Sequence, residues 1–139
     1  MIVKEVMSKN IITCTKDETI IEISKRLIKY DIGMLVVIED TISRIPVGVI
    51  TDRDVINRAV IKELDPKKTK VGDILTKNVV TIGLNDHLAA AVYKMKKNKV
   101  KRLVVLDESG SLAGIVSNSD VIKQFLEVRQ KLLDLSIGF

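Results

Sequence analysis

The sequence predicts an α+β protein built from two copies of a β-α-β-β-α unit. Short segments recur at a fixed spacing: KNIIT at residues 9–13 returns as KNVVT at 77–81, and LVVIED at 35–40 returns as LVVLDE at 103–108, each 68 residues later. Within each copy, apolar runs typical of strands alternate in the same order with stretches of helical spacing. Because 46% of the 139 residues are hydrophobic and only 3% aromatic, we expect a core of Ile, Val, Leu and Ala.

In the first copy, residues 11–14 predict a short strand, and Thr19 ends a capping segment before a helix. That helix is indicated by apolar residues at helical spacing: Ile20, Ile23, Leu27 and Ile28. The continuous apolar run 34–38 is typical of a buried strand, and a turn leads from it to a second strand around 46–50. Thr51 or Asp52 then caps a helix with the apolar residues Val55, Ile56, Ala59 and Val60.

The second copy repeats this order. It predicts strands near 79–82, 103–106 and 112–116, a helix from about Asp86 to Asn98, and a long last helix through 125–133. The charged segment 62–70 contains a proline and predicts an exposed linker. We therefore predict a first repeat at 1–62, a linker at 63–70 and a second repeat at 71–139, with the two repeats packed about a pseudo-twofold axis because each alone is marginal in size.

The most distinctive motif is a glycine, two apolar residues, a hydroxyl residue, two variable residues and an aspartate. It occurs as GVITDRD at residues 48–54 and as GIVSNSD at 114–120, and each repeat also starts with a related tetrapeptide, MSKN at 7–10 and LTKN at 75–78. A strand that runs directly into a helix presents free N–H groups and a hydroxyl, which suit phosphate or ribose oxygens. The aspartate one helical turn further along can accept hydrogen bonds from ribose hydroxyls, although caps and first-turn acids alone would explain the same residues.

These paired motifs resemble the CBS domain family, named for cystathionine β-synthase, in its tandem arrangement, the Bateman module. The resemblance covers nearly the whole chain and implies a regulatory module whose clefts bind AMP, ADP, ATP or S-adenosylmethionine. It also implies that the adenine lies against the short strand that opens each repeat. The resulting ligand-binding residues are Ile12, Thr13, Thr51, Arg53, Asp54, Val80, Thr81, Lys101, Arg102, Ser117 and Asp120.

Basic residues distinguish the two copies. Six cations fall between Lys94 and Arg102, and most of them are typical of a solvated helix end. Lys101 and Arg102 instead open a strand, where they suit a phosphate, and their first-copy counterparts are Gly33 and Met34. We therefore expect two unequal sites, although the sequence does not indicate which of them Arg102 serves.

Several classes of protein are not supported by the sequence. One cysteine, Cys14, and one histidine, His87, provide neither a disulfide nor a zinc site, and they align with the ordinary positions Ile82 and Thr19 of the other copy. No catalytic triad or Gly-Lys-Ser/Thr phosphate loop occurs, so we expect no enzyme activity and no cofactor beyond the regulatory ligand. No apolar run approaches the length of a membrane span, and we expect a cytoplasmic protein.

Three functions compete at this point. The first is an adenine-nucleotide sensor that acts on a regulated partner protein of unknown identity, and the second is an assembly module whose clefts are vestigial. The third, nucleic-acid binding, rests on a net charge of +5, but the chain has four aromatic residues and no nucleic-acid motif. We also expect a homodimer through apolar helix surface at Val55, Ala59, Val60, Val121, Ile122, Phe125 and Leu126.

Overall fold

The computed structural model describes residues 1–137 and contains two similar sets of elements. The first set comprises β1 (Thr13–Thr15), α1 (Ile20–Lys29), β2 (Met34–Ile38), β3 (Pro46–Thr51) and α2 (Asp52–Val55), which continues as a π-helical segment, Ile56–Val60. The second comprises β4 (Thr81–Gly83), α4 (Leu88–Asn98), β5 (Arg102–Leu106), β6 (Leu112–Ser117) and α5 (Asn118–Ile137). A 3-10 turn, Val3–Glu5, precedes the first set and a short helix α3, Val71–Ile74, precedes the second. The α+β class and the order of elements in both repeats are confirmed.

Each set of strands forms a three-stranded sheet. In the order β1-β2-β3, β1 runs parallel to β2, with Thr13 opposite Val36, and β3 runs antiparallel to β2, with Met34 opposite Thr51. The second sheet has the order β4-β5-β6, and β4 is parallel to β5. The parallel pairs follow from the helices α1 and α4, since a crossover connection is needed to return the chain in the same direction.

Three elements, β1, β4 and α4, begin later than the sequence predicts. The opening strands begin at Thr13 and Thr81, two residues later than predicted, although the carbonyl groups of Ile12 and Val80 still accept hydrogen bonds from the neighbouring strand. Helix α4 also begins two residues late, because the Asp86 carboxylate accepts a hydrogen bond from the Gly83 N–H at 2.9 Å and holds a turn there.

The chain forms two compact units that are not continuous in sequence. The β1–β3 unit contains residues 10–79 and 109–112, and the β4–β6 unit contains residues 1–9, 80–108 and 113 onward. In the β1–β3 unit, Thr76 exchanges two backbone hydrogen bonds of 2.9 Å with Val49 of β3. In the β4–β6 unit, Ser8 exchanges an equivalent pair with Ile115 of β6, at 2.8 and 3.0 Å. The boundaries 1–62, 63–70 and 71–139 stay a prediction about the repeats.

Each unit has its own core, and both cores are largely aliphatic. The core of the β1–β3 unit consists of Cys14, Ile20, Ile23, Leu27, Leu35, Val37, Ile50, Ala59, Val71, Ile74 and Leu75. The core of the β4–β6 unit consists of Val3, Ile82, Leu88, Ala91, Met95, Leu103, Val105, Val116 and Val121. Within residues 1–137, no helix combines the length and the apolarity that crossing a bilayer requires.

The helix surface expected to mediate dimerisation divides into two groups. Ala59 and Val121 are buried in the cores, and Val55 packs against the β1–β3 core, so these side chains are already used by the fold. The remaining four are 55–63% exposed: Val60, Ile122, Phe125 and Leu126. Of the seven predicted interface residues, only these four are therefore available to a partner.

The motif glycines Gly48 and Gly114 lie where a second backbone approaches the sheet. A Cβ on Gly48 would lie 2.2 Å from Leu75 Cδ1 and 2.6 Å from the Thr76 carbonyl oxygen. A Cβ on Gly114 would lie 2.6 Å from Met7 Sδ and 2.8 Å from the Ser8 carbonyl oxygen. These glycines are thus required for packing, whatever ligand the neighbouring residues bind.

We predict that Gly48→Ala and Gly114→Ala each lower the free energy of unfolding by about 2–3 kcal/mol, because a methyl group would push away a hydrogen-bonded backbone. Urea denaturation of the purified protein measures this change. Gly33→Ala is the control, since its Cβ would meet Asp52 Oδ2 at an ordinary 3.4 Å. An equal loss in all three variants would contradict the packing explanation.

Candidate functional site

Thr51 and Asp54 form a reciprocal cap at the start of α2. The Thr51 hydroxyl accepts a hydrogen bond from the Asp54 N–H at 3.0 Å, and Asp54 Oδ2 accepts one from the Thr51 N–H at 3.1 Å. This capping box satisfies two backbone donors that a helix start would otherwise leave unpaired. The spacing between the two motif residues is therefore explained first by the helix start.

Ser117 and Asp120 repeat this geometry at the start of α5. The Ser117 hydroxyl accepts from the Asp120 N–H at 3.2 Å, and Asp120 Oδ2 accepts from the Ser117 N–H at 2.9 Å. The structure thus brings together each predicted hydroxyl with its predicted carboxylate. Each pair has a structural role that does not depend on a ligand.

The two carboxylates differ in how fully they are occupied. Asp54 Oδ2 also accepts a hydrogen bond from the Thr76 hydroxyl at 3.2 Å, and Arg58 Nη2 lies 3.7 Å from Asp54 Oδ1. The Asp54 side chain is consequently only 14% exposed. Asp120 makes only its capping bond within the part of the chain that the structure describes. Asp120 Oδ1 therefore remains able to accept hydrogen bonds from a ligand.

The sequence analysis did not assign Thr76 and Arg58 to the site. Thr76 could have been found, since it lies in the LTKN tetrapeptide that repeats MSKN. Arg58 could have been found from its position four residues after Asp54 on the predicted helix, although its counterpart in the second repeat is Gln124. Arg58 also donates to the Ile74 carbonyl at 2.8 Å and so ties the π-helical segment to α3.

Lys101 and Arg102 lie beside the start of α5. The Lys101 carbonyl accepts a hydrogen bond from the Asn118 N–H at 2.9 Å, and both basic residues are exposed. This bond places the backbone of Lys101 next to the Ser117–Asp120 cap. The site that the Arg102 side chain serves stays a prediction.

The equivalent position in the β1–β3 unit has a different charge. There the Gly33 carbonyl accepts from the Asp52 N–H at 3.0 Å, so Asp52 stands where the other unit has Asn118. Asp52 Oδ1 accepts from the Arg53 N–H at 2.7 Å, and Arg53 is exposed. Two acids and two cations, Arg53 and Arg58, thus lie at this cap, against one acid and two cations in the β4–β6 unit.

The predicted adenine-contacting residues lie on the opposite edge of each sheet. β1 and β3 flank β2, so the strand that carries Thr13 is about 10 Å from the strand that ends at Thr51. The Thr13 carbonyl accepts from Arg26 Nη1 at 2.9 Å, and the Thr81 carbonyl accepts from Lys94 Nζ at 2.7 Å. A ligand that contacts both edges must therefore extend across the central strand.

An ion pair supports the β1 edge. Glu18 accepts hydrogen bonds from the Thr15 N–H at 2.8 Å and from Arg26 Nη1 at 3.1 Å. Burial alone would raise the pKa of Glu18, but the hydrogen bonds from Arg26 and Thr15 outweigh it and lower the pKa below its ordinary value of 4.5. Burial raises the pKa of the neighbouring Cys14 thiol to about 12, so no thiolate is available at neutral pH.

Two apolar grooves of the β4–β6 unit lie along α5. One of about 390 Å³ is lined by α4 and α5 residues that include Val92, Met95 and Ile122, and one of about 370 Å³ includes Met1, Leu88 and Val128. Phe125 borders both. Neither groove is lined by a predicted ligand-binding residue, although the first includes Asn118, which follows Ser117 at the cap.

Two strand-helix repeats, each with a capped helix after its last strand, define a tandem α+β module with one candidate ligand site per repeat. The CBS domain model matches residues 3–60 and 71–127, so the chain belongs to the CBS domain family. Protein MK0525 of Methanopyrus kandleri is 30% identical over 121 residues, which are 87% of this chain and 61% of that protein. The chain thus spans about three fifths of that relative's length.

Two similar structures carry adenosyl ligands. The CBS domain pair of protein MJ0100, in complex with 5′-methylthioadenosine and S-adenosyl-L-methionine, is 30% identical with a TM-score of 0.75, covering 90% of this chain and 99% of that one. Protein PAE2072 from Pyrobaculum aerophilum, complexed with AMP, is 26% identical with a TM-score of 0.75, covering 86% and 89% respectively.

We predict that Glu18→Gln destabilises the protein by about 1–2 kcal/mol at pH 7, because it removes a charged partner of Arg26. Since the pKa of Glu18 is lowered in the folded state, this stabilisation is present above pH 4.5 and is lost as the pH falls through the folded pKa. Denaturation of wild type and variant at a series of pH values should show the difference shrinking below pH 4.5. A difference that does not change with pH would contradict this assignment.

Proposed function

We propose that this protein is a regulatory sensor that binds an adenosyl ligand. The observation that carries the proposal is the cap of the β4–β6 unit, where Asp120 keeps one carboxylate oxygen without a partner among the described residues. The backbone of Lys101, which precedes Arg102, is hydrogen-bonded to the start of the same helix. A carboxylate next to two cations suits a ribose that bears a phosphate. The adenosyl ligands of MJ0100 and PAE2072 support this ligand class.

Within the proposed site, Asp120 accepts hydrogen bonds from the ribose hydroxyls while Arg102 and Lys101 contact the phosphate. Ser117 contributes mainly by holding Asp120 in place through the cap. Val80 and Thr81 line the β4 edge of this unit, where adenine would pack, and Ile12 and Thr13 line the corresponding β1 edge of the other unit. Their carbonyl groups already accept hydrogen bonds within the fold, so adenine recognition there relies on apolar contact, N–H groups and the second carbonyl lone pair.

The site at Thr51, Arg53 and Asp54 binds more weakly in this proposal. Asp54 is already engaged by the cap, Thr76 and Arg58, and Asp52 adds a negative charge at this cap. A phosphate there has only Arg53 as a nearby motif cation. An uncharged or cationic adenosyl compound fits this cap better than a nucleotide does.

The proposed output is regulatory and not catalytic. Ligand binding at the α5 cap alters a helix that extends beyond the repeat, and a partner protein of unknown identity detects that change. Within residues 1–137, no cluster of three or more His, Cys, Asp and Glu residues could hold a metal ion. The buried Cys14 thiol offers no nucleophile.

The second candidate is an assembly module without a ligand. It is favoured by one observation, that the capping boxes explain the hydroxyl and the carboxylate of both motifs completely. The two candidates differ in whether any adenosyl compound stabilises the folded protein.

We expect AMP, ADP, ATP or S-adenosylmethionine to raise the melting temperature. A ligand at 100 times its Kd adds about 2.7 kcal/mol of stability, which is a few degrees for a chain of this size. Differential scanning fluorimetry with each compound at millimolar concentration makes the measurement, with inosine monophosphate as a control for the base. If no adenosyl compound shifts the melting temperature, the assembly module is the better interpretation.

We further expect Arg102→Ala to weaken AMP binding by about tenfold to a hundredfold, because it removes one charge-assisted contact. Binding of adenosine should change much less, since adenosine lacks the phosphate. Isothermal titration calorimetry with both ligands provides the comparison, and Arg53→Ala is the matched control at the weaker site. Equal losses for AMP and adenosine would disprove a phosphate role for Arg102.

Asp120→Asn should reduce the affinity for AMP and adenosine alike, since Asn can still accept the capping bond but loses the charge that holds the ribose. Asp54→Asn should have a smaller effect on ligand affinity because Asp54 is already occupied by protein groups. The same calorimetric experiment measures both. Two identical sites, equally sensitive to the two substitutions, would contradict the proposed inequality.

A further inference from the structure

The last helix continues beyond the repeat to which it belongs. The CBS domain match ends at residue 127, whereas α5 runs from Asn118 to Ile137. Its 20 residues correspond to a length of about 30 Å. The final ten residues are therefore not needed to complete the repeat.

The apolar residues of α5 follow a heptad pattern. Val121, Phe125, Val128, Leu132 and Leu135 are separated by four, three, four and three residues. Val121 is 5% exposed and belongs to the β4–β6 core, but the next four are 63%, 44%, 61% and 70% exposed. One stripe thus starts in the core and continues along the helix without a partner among the described residues. A stripe with a mean spacing of 3.5 residues is the pattern by which two helices pair over several turns.

The charge of α5 restricts what can cover this stripe. Its ionisable residues balance, with three acids and three bases, although the whole chain has a net charge of +5; they are Asp120, Lys123, Glu127, Arg129, Lys131 and Asp134. A helix that binds an anionic membrane surface or a nucleic acid needs an excess of positive charge, which α5 lacks. A second helix that has no net charge and carries the same apolar stripe can cover this stripe without an unfavourable net charge.

We propose that residues 125–135 of α5 pair with the same segment of a second copy as a short parallel coiled coil. Phe125 and Leu132 then occupy the a positions of the heptad, and Val128 and Leu135 the d positions. This proposal stands on the helix alone and does not depend on the adenosyl ligand.

The flanking residues favour the parallel orientation. In a parallel pair, each g residue faces the e residue five positions later on the other helix, so Gln124 meets Arg129 and Lys131 meets Ser136. In an antiparallel pair with Phe125 opposite Leu135, Arg129 would face Arg129 and Lys131 would face Lys131. Only the parallel pair avoids these like-charge contacts.

The short length of the stripe is compatible with pairing because the helix is already anchored. An isolated peptide of two heptads would not form a stable helix in water. Here Val121 fixes the start of α5 in the core, and Gln130 Nε2 donates to Asp134 Oδ1 at 2.9 Å within the extension. Pairing therefore does not have to order the backbone, which is a major cost of association.

The first test is sedimentation equilibrium of the full chain at tens of micromolar. Wild type should be a dimer of the 15.5 kDa chain, and Leu132→Asp should raise the dimer Kd by at least about a hundredfold, because each a-position leucine lies in the seam. The matched control is Leu133→Asp, the same change one residue away at a b position that is 43% exposed. A monomeric wild type, or equal effects of the two substitutions, would overturn the proposal.

The second test determines orientation. Leu132→Cys and Leu135→Cys should each form a disulfide-linked dimer on mild oxidation, since identical a and d residues face each other in a parallel pair. Native Cys14 does not interfere, because it is 2% exposed. In the antiparallel pair each cysteine faces a different residue, so failure at both positions overturns the parallel arrangement. Co-sedimentation of a monomeric wild type with anionic vesicles would instead identify a membrane as the occupant.

Discussion

The fold depends on a close backbone contact between each sheet and the tetrapeptide near the start of a repeat, MSKN or LTKN. Thr76 pairs with Val49 in one unit and Ser8 with Ile115 in the other, and in each case a motif glycine leaves the space that this contact requires. The contact also sets the position of a side chain, since it brings the Thr76 hydroxyl to the Asp54 carboxylate. A packing contact thus also occupies a carboxylate oxygen of one candidate site.

The caps show how the same atoms serve stability and recognition. A helix that starts directly after a strand needs acceptors for its first N–H groups, and a hydroxyl and a carboxylate three residues apart supply them. Once Asp120 Oδ2 is held by the Ser117 N–H, the orientation of the other oxygen is fixed before any ligand arrives. A ligand that uses this oxygen does not have to order the side chain, which favours tight binding.

The sequence predicts most of the fold because the repeat supplies each element twice. The order of elements, the α+β class and the pairing of Thr51 with Asp54 and of Ser117 with Asp120 all follow from local spacing. Local spacing does not reveal contacts between distant segments, such as that of Thr76 with Asp54. Arg58, in contrast, lies four residues after Asp54, a spacing at which opposite charges pair on a helix. The late start of α4 also does not follow from the spacing of apolar residues. The Asp86 carboxylate accepts a hydrogen bond from the Gly83 N–H and forms a turn, so the helix begins only at Leu88.

The differences between the repeats are as informative as their similarity. Asp52 is replaced by Asn118, Gly33 and Met34 by Lys101 and Arg102, and Arg58 by Gln124. The first two replacements make the surroundings of the second cap more positive, whereas the loss of Arg58, like the replacement of Arg53 by Ser119, removes a cation. The second cap thus has one acid and two basic residues before its helix, and the first has two acids and two basic residues on its helix. The asymmetry therefore argues for a ligand that is itself asymmetric in charge, with a neutral sugar at Asp120 and an anionic group at Arg102.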